Sequence, residues 1–285
     1  MALVDWEAVM TVIAMTREMA TLGKDVSAGL AERLDLKIVH HELVEHDIAA
    51  LSGMRESEVH RFLEGEASLL ERWRVDRKKL SHYTAQEVLE LAAKGNVLIR
   101  GWGATYLLRS VPHVVCVRIC APLPFRARVL MKRMGIADPA AARREIERND
   151  AAHNGTMQRL FGIDWMDASL YAITLNTARV PTDDCVEHIV RLTQCDAFKQ
   201  TPESRVALMD QLVEARVRSA LRERFDAGPY AVGIDVRVRE GRVTLSGAVS
   251  DERLIAEIVR RVHAVDGVTG VESQIQHISF VPSMG

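Results

Sequence analysis

Val9-Met10-Thr11-Val12-Ile13-Ala14-Met15, continuing as Thr16-Arg17-Glu18-Met19-Ala20-Thr21-Leu22-Gly23-Lys24, is the stretch whose reading decides the fold. Its first seven residues are a short apolar run rich in β-branched side chains, as expected of a strand buried on both faces. Thr16 to Leu22 reads as a loop. From Gly23-Lys24 onward, Val26, Leu30 and Leu34, with Ala28 and Ala31 between them, recur at helical spacing. The order is strand, loop, helix.

Downstream the rhythm repeats. A helical segment Thr84–Ala93 stops at Lys94-Gly95-Asn96 and gives way to the strand Val97-Leu98-Ile99. Val114 to Ile119 predicts another buried strand, Leu123 to Met134 a helix, Leu170 to Leu175 a strand, and the region near 184–193 a helix. Strands alternating with helices imply an α/β fold, a parallel sheet flanked by helices. The polar segment Cys195 to Glu203, with Thr201-Pro202, breaks the pattern and predicts three parts: a domain over 1–195, a linker over 196–203 and a second domain over 204–285. In the second part Leu208, Leu212, Val217 and Leu221 share a helix, and Ile234, Val236 and Val238 alternate with charged residues as in a half-buried strand. Arg239-Glu240-Gly241-Arg242 turns the chain into Val243–Val249, a helix follows from about 251 to 265, and a strand runs from Val268 to Ile278. The order αββαβ predicts a small α+β domain. No period of 20 to 50 residues recurs.

The 285 residues are 48% hydrophobic and 27% charged, which excludes a disordered or collagenous chain. Thirty-seven basic against 39 acidic residues give a net charge of -2, so no global basic surplus points to nucleic acid. Val9–Met15 is too short to span a bilayer, and Asp5 and Glu7 stand where a signal peptide carries positive charge; a cytoplasmic protein is expected. The cysteines, Cys116, Cys120, Cys185 and Cys195, form no C-x-x-C pair and are expected as buried thiols.

A loop between a buried strand and a helix offers backbone N–H groups and a helix N-terminus to an anion, and a lysine there adds a point charge for phosphate. Gly23-Lys24 occupies that place, although the full phosphate loop wants a glycine, four intervening residues, then Gly-Lys and a serine or threonine. Here those positions are Glu18 and Asp25. His40-His41, and His153 with Asp150, offer nitrogen and oxygen ligands. Adjacent histidines diverge, however, and no H-x-x-x-H spacing occurs, so no metal site is predicted. Trp102 between two glycines reads as core or interface rather than as a platform for a base.

The string Thr16 to Val26 resembles the Ser-Arg-Glu-x-Gly-Ser-Gly-Gly-Arg/Lys-Glu-Ile opening of the cytidylate kinase-like family. Three further segments resemble that family in the same order: Ile38-Val39-His40-His41-Glu42-Leu43, Ile99-Arg100-Gly101-Trp102-Gly103-Ala104, and Gly162-Ile163-Asp164-Trp165-Met166-Asp167 with Tyr171 and Leu175-Asn176-Thr177. The resemblance spans roughly residues 8–195. It implies a P-loop kinase fold that moves a phosphoryl group from ATP, with Mg2+, to a nucleoside monophosphate under a closing lid of arginines. It also assigns residues. Lys24, Arg148 and Asp150 would serve catalysis. Arg17, Thr21, Gly23, Lys24 and Asp25 would hold ATP, and His41, Arg100, Gly101, Gly103 and Arg144 the acceptor. Arg143, Arg144 and Arg148 read equally as the lid and as a solvated helix face, with Arg143 placed to pair with Glu147.

The departures from the family pattern fall on phosphate-facing positions. Ala20 and Leu22 replace glycines, and each Cβ opposes a positive φ or a close approach of backbone to phosphate. Trp102 and His153 stand where the family has arginine, and His40 where it has aspartate. A fixed charge in such a site is worth several kcal/mol, roughly, so turnover is the property these changes touch.

Gly241-Arg242-Val243-Thr244-Leu245-Ser246-Gly247-Ala248-Val249 and Gly267-Val268-Thr269-Gly270-Val271 resemble the signature phrases of a BON domain over about residues 204–280. That family is associated with phospholipid or other hydrophobic ligands. Residues 204–285 hold eleven arginines, no lysine and eleven acidic residues, so charge does not draw this part to an anionic membrane. A regulatory or dimerising module is the preferred expectation, with phospholipid contact and a homo-oligomer left open. The expected function is an ATP-dependent phosphotransferase tuned by a BON module. The alternatives are a catalytically impaired nucleotide- or phosphate-binding regulator and a lipid or envelope-stress adaptor.

Overall fold

A computed structural model of the chain describes residues 10–40, 77–101, 103–225 and 231–278. Contacts divide it into two compact units, Met1–Thr201 and Pro202–Gly285.

The first unit is built on β1 (Val12–Arg17), α1 (Gly23–Leu34), β2 (Lys37–His40), α2 (Arg77–Lys94), β3 (Val97–Arg100), α3 (Ala104–Leu108), β4 (Val114–Cys120), α4 (Leu123–Met134), α5 (Pro139–Phe161), β5 (Ile173–Asn176) and α6 (Thr182–Gln194). Five parallel strands lie in the order β2-β3-β1-β4-β5. Val12, Ile13, Ala14 and Met15 are all buried, because β1 is covered on both faces and an alternating pattern would leave one face polar. Ile13, Met15, Val117 and Ile119 pack with Val26 and Leu30 of α1 and Cys185 and Ile189 of α6. α2 packs on β3 and α3 on β1. A smaller apolar cluster joins α4 and α5 through Ala127, Leu130, Ala142 and Ile146, and Ala20 belongs to it.

The second unit is α7 (Pro202–Phe225), β6 (Ala231–Arg239), β7 (Arg242–Val249), α8 (Arg253–His263) and β8 (Gly270–His277). β6 and β7 form an antiparallel hairpin whose turn residues Glu240 and Gly241 have φ of 52° and 75°, the pair of left-handed residues that a type I′ turn uses. β8 pairs parallel to β7 after the α8 crossover. Val217, Val243, Leu245, Ile258 and Val262 form the core. The αββαβ order is as expected.

Several expectations are corrected. Thr16 and Arg17 extend β1 instead of opening the loop. The strand expected over Leu170–Leu175 begins only at Ile173. Residues Ala168–Leu170 form a 3-10 turn because the Asp167 carboxylate accepts the Ser169 N–H at 2.9 Å. The expected linker is structured at its start: Asp196–Phe198 is a 3-10 turn, and Phe198 packs on the core of the first unit. Cys195 is exposed, and Cys120 is only partly buried. Among the described residues no helix is long and apolar enough to cross a membrane.

Candidate functional site

The loop from Glu18 to Leu22 leaves the C-terminal end of β1, the central strand, and enters α1. Ligands of open parallel sheets bind at this edge. Ala20 and Leu22 sit at φ of 61° and 60°, so the loop keeps the left-handed backbone of a glycine-rich loop without its glycines. Each such residue costs about 1–2 kcal/mol. Burial of the Ala20 methyl in the α4–α5 cluster offsets its share. Leu22 is half-buried and stands outside that cluster. Its carbonyl accepts the N–H groups of Asp25 and Val26, yet as N-cap of α1 it supplies no side-chain hydrogen bond. The first turn of α1 therefore presents backbone donors and the positive end of the helix dipole.

Gly23 lies against Arg17, whose Cδ would stand 2.9 Å from an added Cβ. Lys24 is exposed on the first turn. Asp25 is exposed too and pairs with Arg133 of α4 at 2.5 Å. Thr21 is buried, its Oγ1 donates to the Glu18 carbonyl at 2.8 Å, and its own carbonyl accepts from Thr177 Oγ1 at 2.6 Å. Ser27 Oγ donates to the Lys24 carbonyl and accepts from Arg100 Nη1 at 3.2 Å. The structure thus brings Arg17, Thr21, Gly23, Lys24, Asp25 and Arg100 to one end of the sheet.

Beside the loop stands a buried ionic cluster that sequence reasoning missed. Glu18 accepts from Arg118 Nη2 at 2.5 Å and from the Ala121 N–H at 3.2 Å, and Arg126 Nε lies 3.5 Å from its second oxygen. Arg126 in turn grips Asp150 with both terminal nitrogens, at 3.0 and 2.8 Å. The side chains of Glu18, Arg118 and Arg126 are 6%, 7% and 9% exposed, so their charges are stabilised by one another rather than by water. Asp150 is therefore the orienting partner of Arg126. The signal available in the sequence was Arg118 itself, one charge inside the apolar run Val114–Cys120.

The expected lid residues are exposed on α5. Arg144 pairs with Asp138 at 3.4 Å and Arg148 with Glu145 at 2.6 Å, both arginines exposed on α5, and these take the place of the expected Arg143–Glu147 pair. His153 meets the Trp165 ring edge-on at 4.3 Å, and Arg118 lies over the same ring at 5.6 Å. After β3, Gly101 and Gly103 turn the chain with φ of 90° and 63°. His41 and Trp102 lie outside the described residues, and His40 is described only as the end of β2.

Burial pushes the Tyr171 hydroxyl up to about 12, and that group donates to the Trp165 carbonyl. Burial also raises Cys116, to about 12, and Cys120, where the Glu18 carboxylate adds to the effect, so neither is a thiolate nucleophile at neutral pH. Among the described residues no cluster of three or more His, Cys, Asp or Glu side chains is placed to hold a metal ion.

Comparison with known proteins accords with this geometry. Residues 12–179, more than half of the chain, match the cytidylate kinase-like family, and residues 210–278 match the BON domain. The cytidylate kinase of Pyrobaculum aerophilum is 27% identical over 177 residues, covering 62% of this chain and 89% of the relative. That of Methanopyrus kandleri is 29% identical over 164 residues, covering 54% and 78%. The crystal structure of an uncharacterized protein from Eubacterium ventriosum shares the fold, with a TM-score of 0.51 and 18% identity, covering 65% of this chain and 98% of that one. The chain belongs to the cytidylate kinase-like family and carries a BON domain after the kinase-like part.

Proposed function

We propose that this member of the cytidylate kinase-like family binds the phosphates of ATP on the Glu18–Lys24 loop and passes a phosphoryl group to a nucleoside monophosphate. One observation carries the reading: the loop holds the left-handed conformations of a phosphate cradle at Ala20 and Leu22, although alanine and leucine disfavour them. Strain of this kind is kept where function needs a fixed backbone.

The residues fit a triphosphate. The free N–H groups of the first turn of α1 and the exposed Lys24 ammonium are complementary to phosphate oxygens, with Arg17 and Arg100 at the same edge. Phosphoryl transfer asks for positioning and charge neutralisation more than for covalent chemistry. Mg2+, when bound, would supply charge neutralisation on phosphate oxygens. It takes water and one or two carboxylates besides, and Asp25 is the exposed carboxylate on hand. Lys24 holds the donor phosphates, and Arg100 and the Gly101–Gly103 turn face the acceptor. The BON domain is a regulatory module in the same chain, and the kinase-like part works in the cytoplasm.

A second reading has its own support. Arg144 and Arg148 are paired with Asp138 and Glu145, and His153 packs on Trp165 where the family has an arginine. A protein built this way holds nucleotide as a regulatory ligand without turning it over.

Calorimetry with Mg-ATP on the full chain and on Lys24→Ala tests both. Micromolar binding that falls by about a hundredfold in the variant, together with transfer of radiolabelled γ-phosphate to CMP, is the expected result. Binding without transfer to any common monophosphate establishes the second reading. No binding to either folded protein removes both and moves the search to the BON domain, beginning with liposome co-sedimentation of the full chain.

A further inference from the structure

Glu18 stands where a phosphate loop ordinarily starts with glycine, and its carboxylate accepts two hydrogen bonds and makes a further ion pair with Arg126. Its partners come from two places, Arg118 on β4 and the turn-and-helix segment that supplies the Ala121 N–H and Arg126. The Glu18 backbone is held as well, its N–H by the Ile119 carbonyl at 3.1 Å and its carbonyl by Thr21 Oγ1. The other end of the loop is fixed by Thr177, whose hydroxyl donates to the Thr21 carbonyl. Glu18 is thus fastened to β4 and its exit and Thr21 to the residue after β5; Ala20 lies between these fastenings, and Leu22 lies between the Thr21 fastening and the first turn of α1, whose Asp25 and Val26 N–H groups its carbonyl accepts. Without glycine the left-handed conformations need such outside restraint, because a free alanine or leucine leaves that region. Burial of its methyl helps Ala20. Leu22 is held by the Thr21 fastening on one side and by the bonds of its carbonyl to α1 on the other.

We infer that Glu18 is a positioning residue. Gripped by Arg118 and Arg126, it holds the phosphate loop in the conformation that the missing glycines would otherwise allow, and Thr177 does the same from the far side. Asp150 enters at one remove, by orienting Arg126. The inference rests on the loop being the phosphate cradle proposed above.

Its test joins two readouts on the full chain. Amide hydrogen exchange of the nucleotide-free protein is compared for wild type, Glu18→Gln and Thr177→Val. Exchange at Thr21–Lys24 is expected to quicken about tenfold in Glu18→Gln, while the amides of β1 and β5 keep their wild-type rates. Unchanged exchange in the loop of a folded variant overturns the inference. Mg-ATP affinity is then expected to drop about tenfold in Glu18→Gln and to return when Leu22→Gly is added, a non-additive pair that a general structural role would not produce. Loss that Leu22→Gly does not restore also overturns it. If Glu18→Gln leaves two buried arginines uncompensated and fails to fold, Thr177→Val carries both readouts in its place: faster loop exchange with affinity restored by Leu22→Gly supports the inference, and unchanged exchange overturns it. If the wild type binds no Mg-ATP, the nucleotide reading fails, and the exchange measurement still decides whether Glu18 holds the loop.

Discussion

Two turns at the same end of the sheet solve one backbone problem in opposite ways. β1 and β3 run side by side and parallel, and each is followed by a pair of left-handed residues two positions apart, Ala20 and Leu22 after β1, Gly101 and Gly103 after β3. The second of each pair is a helix N-cap, at φ of 60° for Leu22 and 63° for Gly103. The difference lies in what surrounds the Cβ. At Gly103 an added Cβ would stand 2.5 Å from Phe161 Cε2, so no side chain fits. At Ala20 the Cβ has a place among Ala127, Leu130, Ala142 and Ile146. A left-handed position is thus decided first by the room for a side chain and only then by its intrinsic preference.

Four substitutions and one titration press on this contrast, and the largest effect belongs to Gly103→Ala. It adds overlap with Phe161 to an unfavourable φ and is expected to destabilise the first unit by about 3 kcal/mol in denaturant unfolding. Gly101→Ala meets nothing within 4 Å, so only its φ of 90° counts and about 1–2 kcal/mol is expected. An equal loss at both glycines would show that the Phe161 contact is not what excludes a side chain. Leu22→Gly should act in the other direction, raising stability by about 0.5–1 kcal/mol as released strain outweighs the added chain entropy. Ala20→Gly releases similar strain but gives up a buried methyl worth about 0.8 kcal/mol, and it should leave the midpoint nearly unchanged. A clear gain at Ala20 would mean that the methyl contributes nothing there.

The smallest effect is acid sensitivity on the glycine side. His113, buried between α3 and β4, has its pKa lowered by burial below the ordinary 6.5. Above 6.5 the ring is neutral in both the folded and the unfolded chain, and stability is full. As pH falls below 6.5 the unfolded chain takes up the proton first, and stability declines until the lowered folded-state value is reached. Thermal unfolding between pH 7.5 and 5 should show that decline, and His113→Gln should make it shallower.

The fold is legible in the sequence where local rules coincide. Leu123–Met134 reads as a helix and is one, because Pro124 opens it, Gly135 closes it in the left-handed form and the apolar spacing between them is helical. The pattern misleads at Leu170, where an apolar run looks like a strand but the Asp167 carboxylate draws the backbone into a turn. For the site, Gly23-Lys24 and Thr21 are visible because they are contiguous. The Glu18 cluster is not, since its members lie a hundred or more positions from Glu18 on separate elements and share no spacing. The arginines of α5 read from the sequence both as a lid and as a solvated face, and in the fold Arg144 and Arg148 are exposed and pair with Asp138 and Glu145 on the surface.

The sheet order also sets a timetable for synthesis. The central strand, β1, is made before its partners, yet Val12 pairs with Val97 on one side and with Val114 on the other. At about 5–20 residues per second this buried strand waits several seconds for either neighbour. During that interval its two unpaired edges are exposed to any other extended chain, so nascent β1 is a segment that a chaperone would protect.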